Sequence, residues 1–210
     1  MNRLRMNGFK LIAAVMGIVL LIACKKDKEN TKEELIIDLN AKASWKGYLE
    51  TGYFNSGTIE LEGKDIFLEG NKITGGKISI PVTSILITNE LPLEKKIELT
   101  EHLQTADFFN LALHPYVTYI ISSAEKKAVD AQGNNYLIKG SMKLLGKELS
   151  LDIPAKINIS NTTVSVVSNF KFDRTKWGMN FATSDDLPAD KKIKNEIEVE
   201  IDFIATRITK

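Results

Sequence analysis

From Tyr136 to the C-terminus apolar and polar residues alternate in twos, a period that suits a pleated strand with one buried and one wet face. Tyr136, Ile138, Gly140, Met142 and Leu144 share one face, with Lys139, Ser141 and Lys143 opposite. After a turn expected at Gly146–Lys147, the apolar face resumes with Leu149, Leu151, Ile153, Ala155, Ile157 and Ile159, and the pair reads as a long antiparallel hairpin. Val164, Val166, Ser168, Phe170 and Phe172 continue the pattern. The C-terminal strand sets Ile197, Val199, Ile201, Phe203 and Ala205 against Glu196, Glu198, Glu200 and Asp202. Acids in such a row demand water, and without a glycine-flanked ligand loop they read as a solvated sheet face rather than a calcium site.

Shorter segments of the same kind stand at 44–52, 57–62, 65–69, 77–85 and 116–122, separated by the turn-forming runs Glu69-Gly70-Asn71 and Thr74-Gly75-Gly76. Together these predict an all-β, antiparallel fold of about eight strands. Long strands wet on one side need either a second sheet or closure on themselves, and closure also removes exposed edges. A closed barrel of this size holds either a filled core or one small ligand. The departure is at 93–109, where Ile97, Leu99, Leu103 and Phe108–Phe109 sit among Glu and Lys at near-helical spacing. It predicts a short helix at about 95–106, lying across the mouth or side of a barrel. No repeat or second linker interrupts 35–210, so that stretch reads as one domain.

The N-terminus has a different grammar. Arg3, Arg5 and Lys10 precede an apolar run at 11–23, and no acid occurs before Cys24, the pattern of a secretory signal. Thirteen helical residues span about 20 Å, short of the ~30 Å a permanent membrane span requires. The run closes on Leu21-Ile22-Ala23-Cys24, which resembles a bacterial lipobox: small Ala23 lets a peptidase reach the bond, and the Cys24 thiol takes the lipid. The expectation is a signal at 1–23, an acylated Cys24, and a charged, solvated tether over 24–34. Two or more acyl chains anchor stably where one does not. Lys25 rather than Asp follows Cys24; by resemblance to enterobacterial lipoproteins this points to the outer membrane of a bacterial envelope, on either its periplasmic or its surface face.

Charge and residue counts narrow the function. The chain carries 28 Lys+Arg against 27 Asp+Glu, a net charge of +1, and losing Arg3, Arg5 and Lys10 with the signal leaves −2. Neither value gathers phosphates, so no nucleic-acid partner is expected. One cysteine excludes an intramolecular disulfide, and two histidines leave little for a transition-metal site or His-dependent catalysis. No Gly-x-Ser-x-Gly elbow, cofactor-binding glycine loop or His-Glu-x-x-His occurs. The chain is expected not to be an enzyme.

Three segments together resemble the YceI-like family of bacterial lipid-binding proteins. The first is Gly75-Gly76-Lys77-Ile78-Ser79-Ile80-Pro81-Val82-Thr83-Ser84-Ile85. The second is His102-Leu103-Gln104-Thr105-Ala106-Asp107-Phe108-Phe109 followed by Pro115, Tyr116 and Tyr119, similar to the family's His-Leu-x-(Ser/Thr)-x-Asp-Phe-Phe and Pro-x-x-aromatic. The third is Gly140-Ser141-Met142-Lys143-Leu144-Leu145-Gly146-Lys147 with Asp173-Arg174-Thr175-Lys176-Trp177-Gly178 after it. The likeness spans about 43–205. It departs at Ala43-Ser44-Trp45-Lys46-Gly47, where His-Ser-x-Val-x-Phe is common, and at Glu101, where Arg-Asp frequently precedes the histidine.

The resemblance implies an up-and-down, lipocalin-like barrel that binds a polyisoprenoid, quinone or fatty-acyl amphiphile, with no other cofactor. The ligand-binding candidates are then Ile78, Ile80, Val82, Phe108, Phe109, Tyr116, Tyr119, Met142, Phe170, Phe172 and Trp177, each either lining a slot or filling a core. His102 either reads a headgroup or makes a structural hydrogen bond. Arg174 either meets a phosphate or quinone oxygen or pairs with Asp173 or a glutamate. A filled barrel that works through its surface is the alternative to a carrier.

Overall fold

The computed structural model describes residues 32–209. The expected signal, Cys24 and most of the expected tether lie outside the described residues. Twelve strands form one antiparallel sheet among them. They are β1 (Lys32–Ile37), β2 (Lys42–Leu49), β3 (Phe54–Glu60), β4 (Glu62–Glu69), β5 (Lys72–Pro81), β6 (Leu86–Ile87), β7 (Tyr116–Lys126), β8 (Tyr136–Leu144), β9 (Lys147–Ser150), β10 (Ile153–Ile159), β11 (Thr163–Asp173) and β12 (Ile193–Thr209). One helix, α1 (Leu93–Gln104), interrupts them.

Several of these strands are halves of longer staves. β1 and β2 are separated by a short loop in which Asp38 takes the Asn40 amide on its carboxylate, at 2.8 Å, and the Ala41 amide on its carbonyl, at 3.0 Å. β3 and β4 meet at Leu61, whose amide donates to Ala41 across the break at 2.9 Å. β9 and β10 both pair with β8, on successive stretches of it. Joined this way, each stave runs antiparallel to the next in chain order. The 17-residue β12 then closes the ring, pairing with β2 from Ile193↔Leu49 to Ile201↔Ala43 and with β1 from Ala205↔Ile37 to Thr209↔Glu33. The result is a closed eight-strand, up-and-down barrel. An exposed edge, the hazard of any open sheet, is thereby removed.

The alternation fixes which side chains enter. Val164, Val166, Ser168, Phe170 and Phe172 on β11 point inward, as do Ile197, Val199, Ile201, Phe203 and Ala205 on β12. The β8–β9 hairpin turns on Leu145–Gly146, one residue earlier than expected; both take positive φ, as the tight two-residue turn joining Leu144 to Lys147 requires.

Three local readings are corrected. Lys32-Glu33-Glu34, read as tether, opens β1: Glu33 pairs with Thr209 and Leu68, so chain hydrogen bonds outweigh the charge of the segment. Thr74-Gly75-Gly76 is not a turn but part of β5, where a bulge sets Asp65 and Ile66 against Gly76. A Cβ at Gly76 would meet Ile66 within 2.8 Å of its Cα, so only glycine allows the approach. The helix stops at Gln104, earlier than the 106 expected, because Thr105 turns extended and its hydroxyl bonds back to the His102 carbonyl at 2.8 Å.

Candidate functional site

The barrel is hollow. A continuous cavity of about 390 Å³ runs inside it, within the size range of small-molecule sites. Its lining is overwhelmingly aliphatic and aromatic. Deep in the barrel Leu35, Ile66, Ile73, Ile153 and Val164 wall it off and are all buried. Toward the other end, Tyr53 (51% exposed) and Phe181 (39% exposed) line it and also reach solvent. The mouth therefore lies where β2 ends and β12 begins, while Lys32 and Thr209 mark the opposite pole.

The mouth is partly covered by the long connection from β5 to β7. α1 sends Leu99 and Leu103 into the cavity, and Phe108 and Phe109 follow from the turns after it. His102 stands at the rim, its Nε2 3.0 Å from Asp107 Oδ2 and its ring edge-on to Phe108 and Phe181 at 5.1 and 4.8 Å. The structural hydrogen bond is thus present, and the ring also lines the cavity.

Of the residues singled out from sequence, the cavity brings together Ile78, Ile80, His102, Phe108, Phe109, Tyr119, Met142, Phe170, Phe172 and Arg174. Three stand apart from the lining. Val82 is fully buried but sits in a 3-10 turn, where its amide bonds to Pro115 and the strand alternation has ended. Tyr116 faces outward, half exposed, because Val117, Tyr119 and Ile121 are the inward set of β7. Trp177 is core beside the cavity, edge-on to Phe172 at 5.6 Å, with its indole N–H donating to Met142 O at 2.9 Å.

Two polar groups in the wall are satisfied by the barrel itself. Tyr119 donates its hydroxyl to Leu151 O at 2.8 Å, and burial pushes its pKa up, so it remains a neutral phenol. Ser168 donates to Pro154 O at 2.6 Å. Among the described residues Arg174 pairs with no carboxylate, contrary to one expectation. Its guanidinium donates to three carbonyls, Met179 O at 2.7 Å, Phe181 O at 2.9 Å and Lys194 O at 3.3 Å, and the residue is fully buried. Asp173 instead takes the Thr175 amide and hydroxyl, at 2.9 and 2.6 Å.

Sequence reasoning missed several lining residues. Trp45 falls in step with Ala43 and Gly47 on β2, so the alternation held the signal for it. Phe181 comes from an irregular loop, where no period exists to reveal it.

Fold and cavity together define a lipocalin-like barrel with an apolar internal site. A family model for the YceI-like domain matches residues 40–205, and the chain belongs to that family. Among solved structures the fold is similar to that of Burkholderia cenocepacia BcnA, at 17% identity and a TM-score of 0.60, over 81% of this chain and 99% of that one. It is also similar to a polyisoprenoid binding domain from Saccharophagus degradans implicated in plant cell wall breakdown, at 10% identity and a TM-score of 0.58, over 86% of this chain and 99% of that one. No match was found among curated proteins.

Proposed function

We propose that the protein is an envelope lipoprotein, held in the outer membrane of a bacterium through an acylated Cys24, whose barrel carries a long-chain amphiphile. The observation that carries this reading is the cavity: closed at depth, apolar along its length and reaching solvent at one end. A chain such as a polyisoprenoid, a quinone tail or a fatty acyl group gains about 25 cal/mol for each Å² of apolar surface it loses to water there. The polyisoprenoid-binding domain from Saccharophagus degradans, with the same fold, supports the same ligand class. The role is non-catalytic and involves no nucleic acid.

Native mass spectrometry of the full chain purified from bacterial cells, followed by organic extraction, tests the carrier role. A stoichiometric long-chain adduct is the expected result. A clean apo mass that stays clean when prenols, quinones and fatty acids are offered would overturn it and favour a barrel acting through its surface. The anchor has its own test: Cys24→Ser is expected to abolish labelling by a fatty-acid analogue, and persistent labelling would refute the lipidation.

A further inference from the structure

The other described arginine shows how this chain ordinarily treats such a group. Arg207 is held by Glu33, Nη2 to Oε1 at 2.7 Å and Nε to Oε2 at 2.7 Å. Arg174 is buried more deeply and forms no salt bridge among the described residues. Its partners are neutral carbonyls, and the nearest acid in the chain, Asp173, has turned its Oδ1 to Thr175. A guanidinium has five N–H donors; three are used by Lys194, Met179 and Phe181. Carbonyl dipoles ease the desolvation of a cation but do not cancel its charge, and in a low-dielectric wall that charge acts strongly on whatever enters. Burial lowers its pKa, with Asp173 partly opposing, yet a guanidinium stays charged.

The position matters as much as the charge. Arg174 follows the last residue of β11 and lines the same cavity as His102 and Phe181, both at the rim. An amphiphile whose tail runs into the barrel leaves its head at this level. We infer that Arg174 makes the site selective by charge: it favours amphiphiles with an anionic oxygen head, carboxylate or phosphate, over neutral heads, and disfavours cationic ones. This rests on the carrier reading above and assigns its headgroup class.

The test is displacement of a fluorescent fatty-acid probe from the full chain by three sixteen-carbon competitors, palmitate, hexadecanol and hexadecyltrimethylammonium, with hexadecyl phosphate as a fourth. Palmitate or the phosphate is expected to compete at about tenfold lower concentration than the alcohol, through the field of the buried charge rather than a direct contact, with the cation weakest. Whichever anion competes better separates a carboxylate from a phosphate site. The order is expected to persist from low to high salt, since a buried charge is poorly screened. Arg174→Gln is expected to level the series. Equal potency of acid, alcohol and cation overturns the inference while leaving the carrier role standing, and so does a preference that salt erases, which belongs to surface lysines. A barrel that takes up neither probe nor competitor overturns both. The series on the unaltered protein decides the matter even where the variant does not fold.

Discussion

The two tryptophans report on different compartments. Trp45 lines the cavity, whereas Trp177 sits behind the wall with its N–H on Met142 O. Uptake of a long-chain ligand is therefore expected to shift or quench the emission of Trp45 alone. Trp45→Phe should lose the titration signal and Trp177→Phe should keep it; a signal that survives in the first variant would place the ligand elsewhere. Trp177→Phe leaves the Met142 carbonyl without its donor and is expected to lower stability by about 1–3 kcal/mol, read from chemical unfolding, with ligand affinity in the folded protein unchanged. Tyr119→Phe removes the bond to Leu151 O. A loss of about 1 kcal/mol is expected from it.

At the scale of elements, closure depends on the seam between the first and last strands. Glu33 on β1 and Arg207 on β12 form the ion pair across it, their side chains 13% and 11% exposed, and Arg207 also donates to the Ser160 carbonyl. The Arg207 guanidinium holds the Glu33 carboxyl below its ordinary range. A depressed acid stabilises the fold above its unfolded pKa, and the contribution is lost as pH falls through the folded one. The melting temperatures of the protein and of Glu33→Gln are thus expected to differ at neutral pH and to converge as pH falls below about 4. A gap independent of pH would remove the ion pair from the account. The same element shows where periodicity misleads. Lys32-Glu33-Glu34 reads as solvated because its charge says so, yet the pairing partner is 174 residues away in the chain and invisible locally. Glycines at 75 and 76 read as a turn, since a bulge and a turn ask for the same residue. Where both faces of a strand obey the rule of twos, as in β8, β11 and β12, the inward residues were legible without any structure.

For the whole molecule, alternation tells which side chains face the interior but not whether the interior is full. Ile78, Phe170 and Phe172 present the same pattern in a packed core as around a void. The cavity is a property of the closed ring, set by how many staves enclose it and by how α1 and Phe108 cover the end. Phe108 is buried against Phe181 at 5.3 Å and belongs to that cover. Phe108→Ala is expected to cost about 3–5 kcal/mol if nothing refills the gap and to speed ligand release, measured by stopped-flow exchange of a fluorescent prenol. Unchanged release with reduced stability would assign Phe108 to packing alone.

The two poles of the barrel are not equivalent. Lys32 enters at the end away from the opening, and the 17 residues of β12 run from one pole to the other. At about 3.3 Å per residue and a tilt near 40°, that separation is about 40 Å. The eight residues from Cys24 to Lys32 extend at most about 28 Å. On the anchoring proposed above, a barrel leashed at Cys24 stands like a flask on its base: the leash is too short to turn the mouth squarely down onto the bilayer, and the opening is expected to face water.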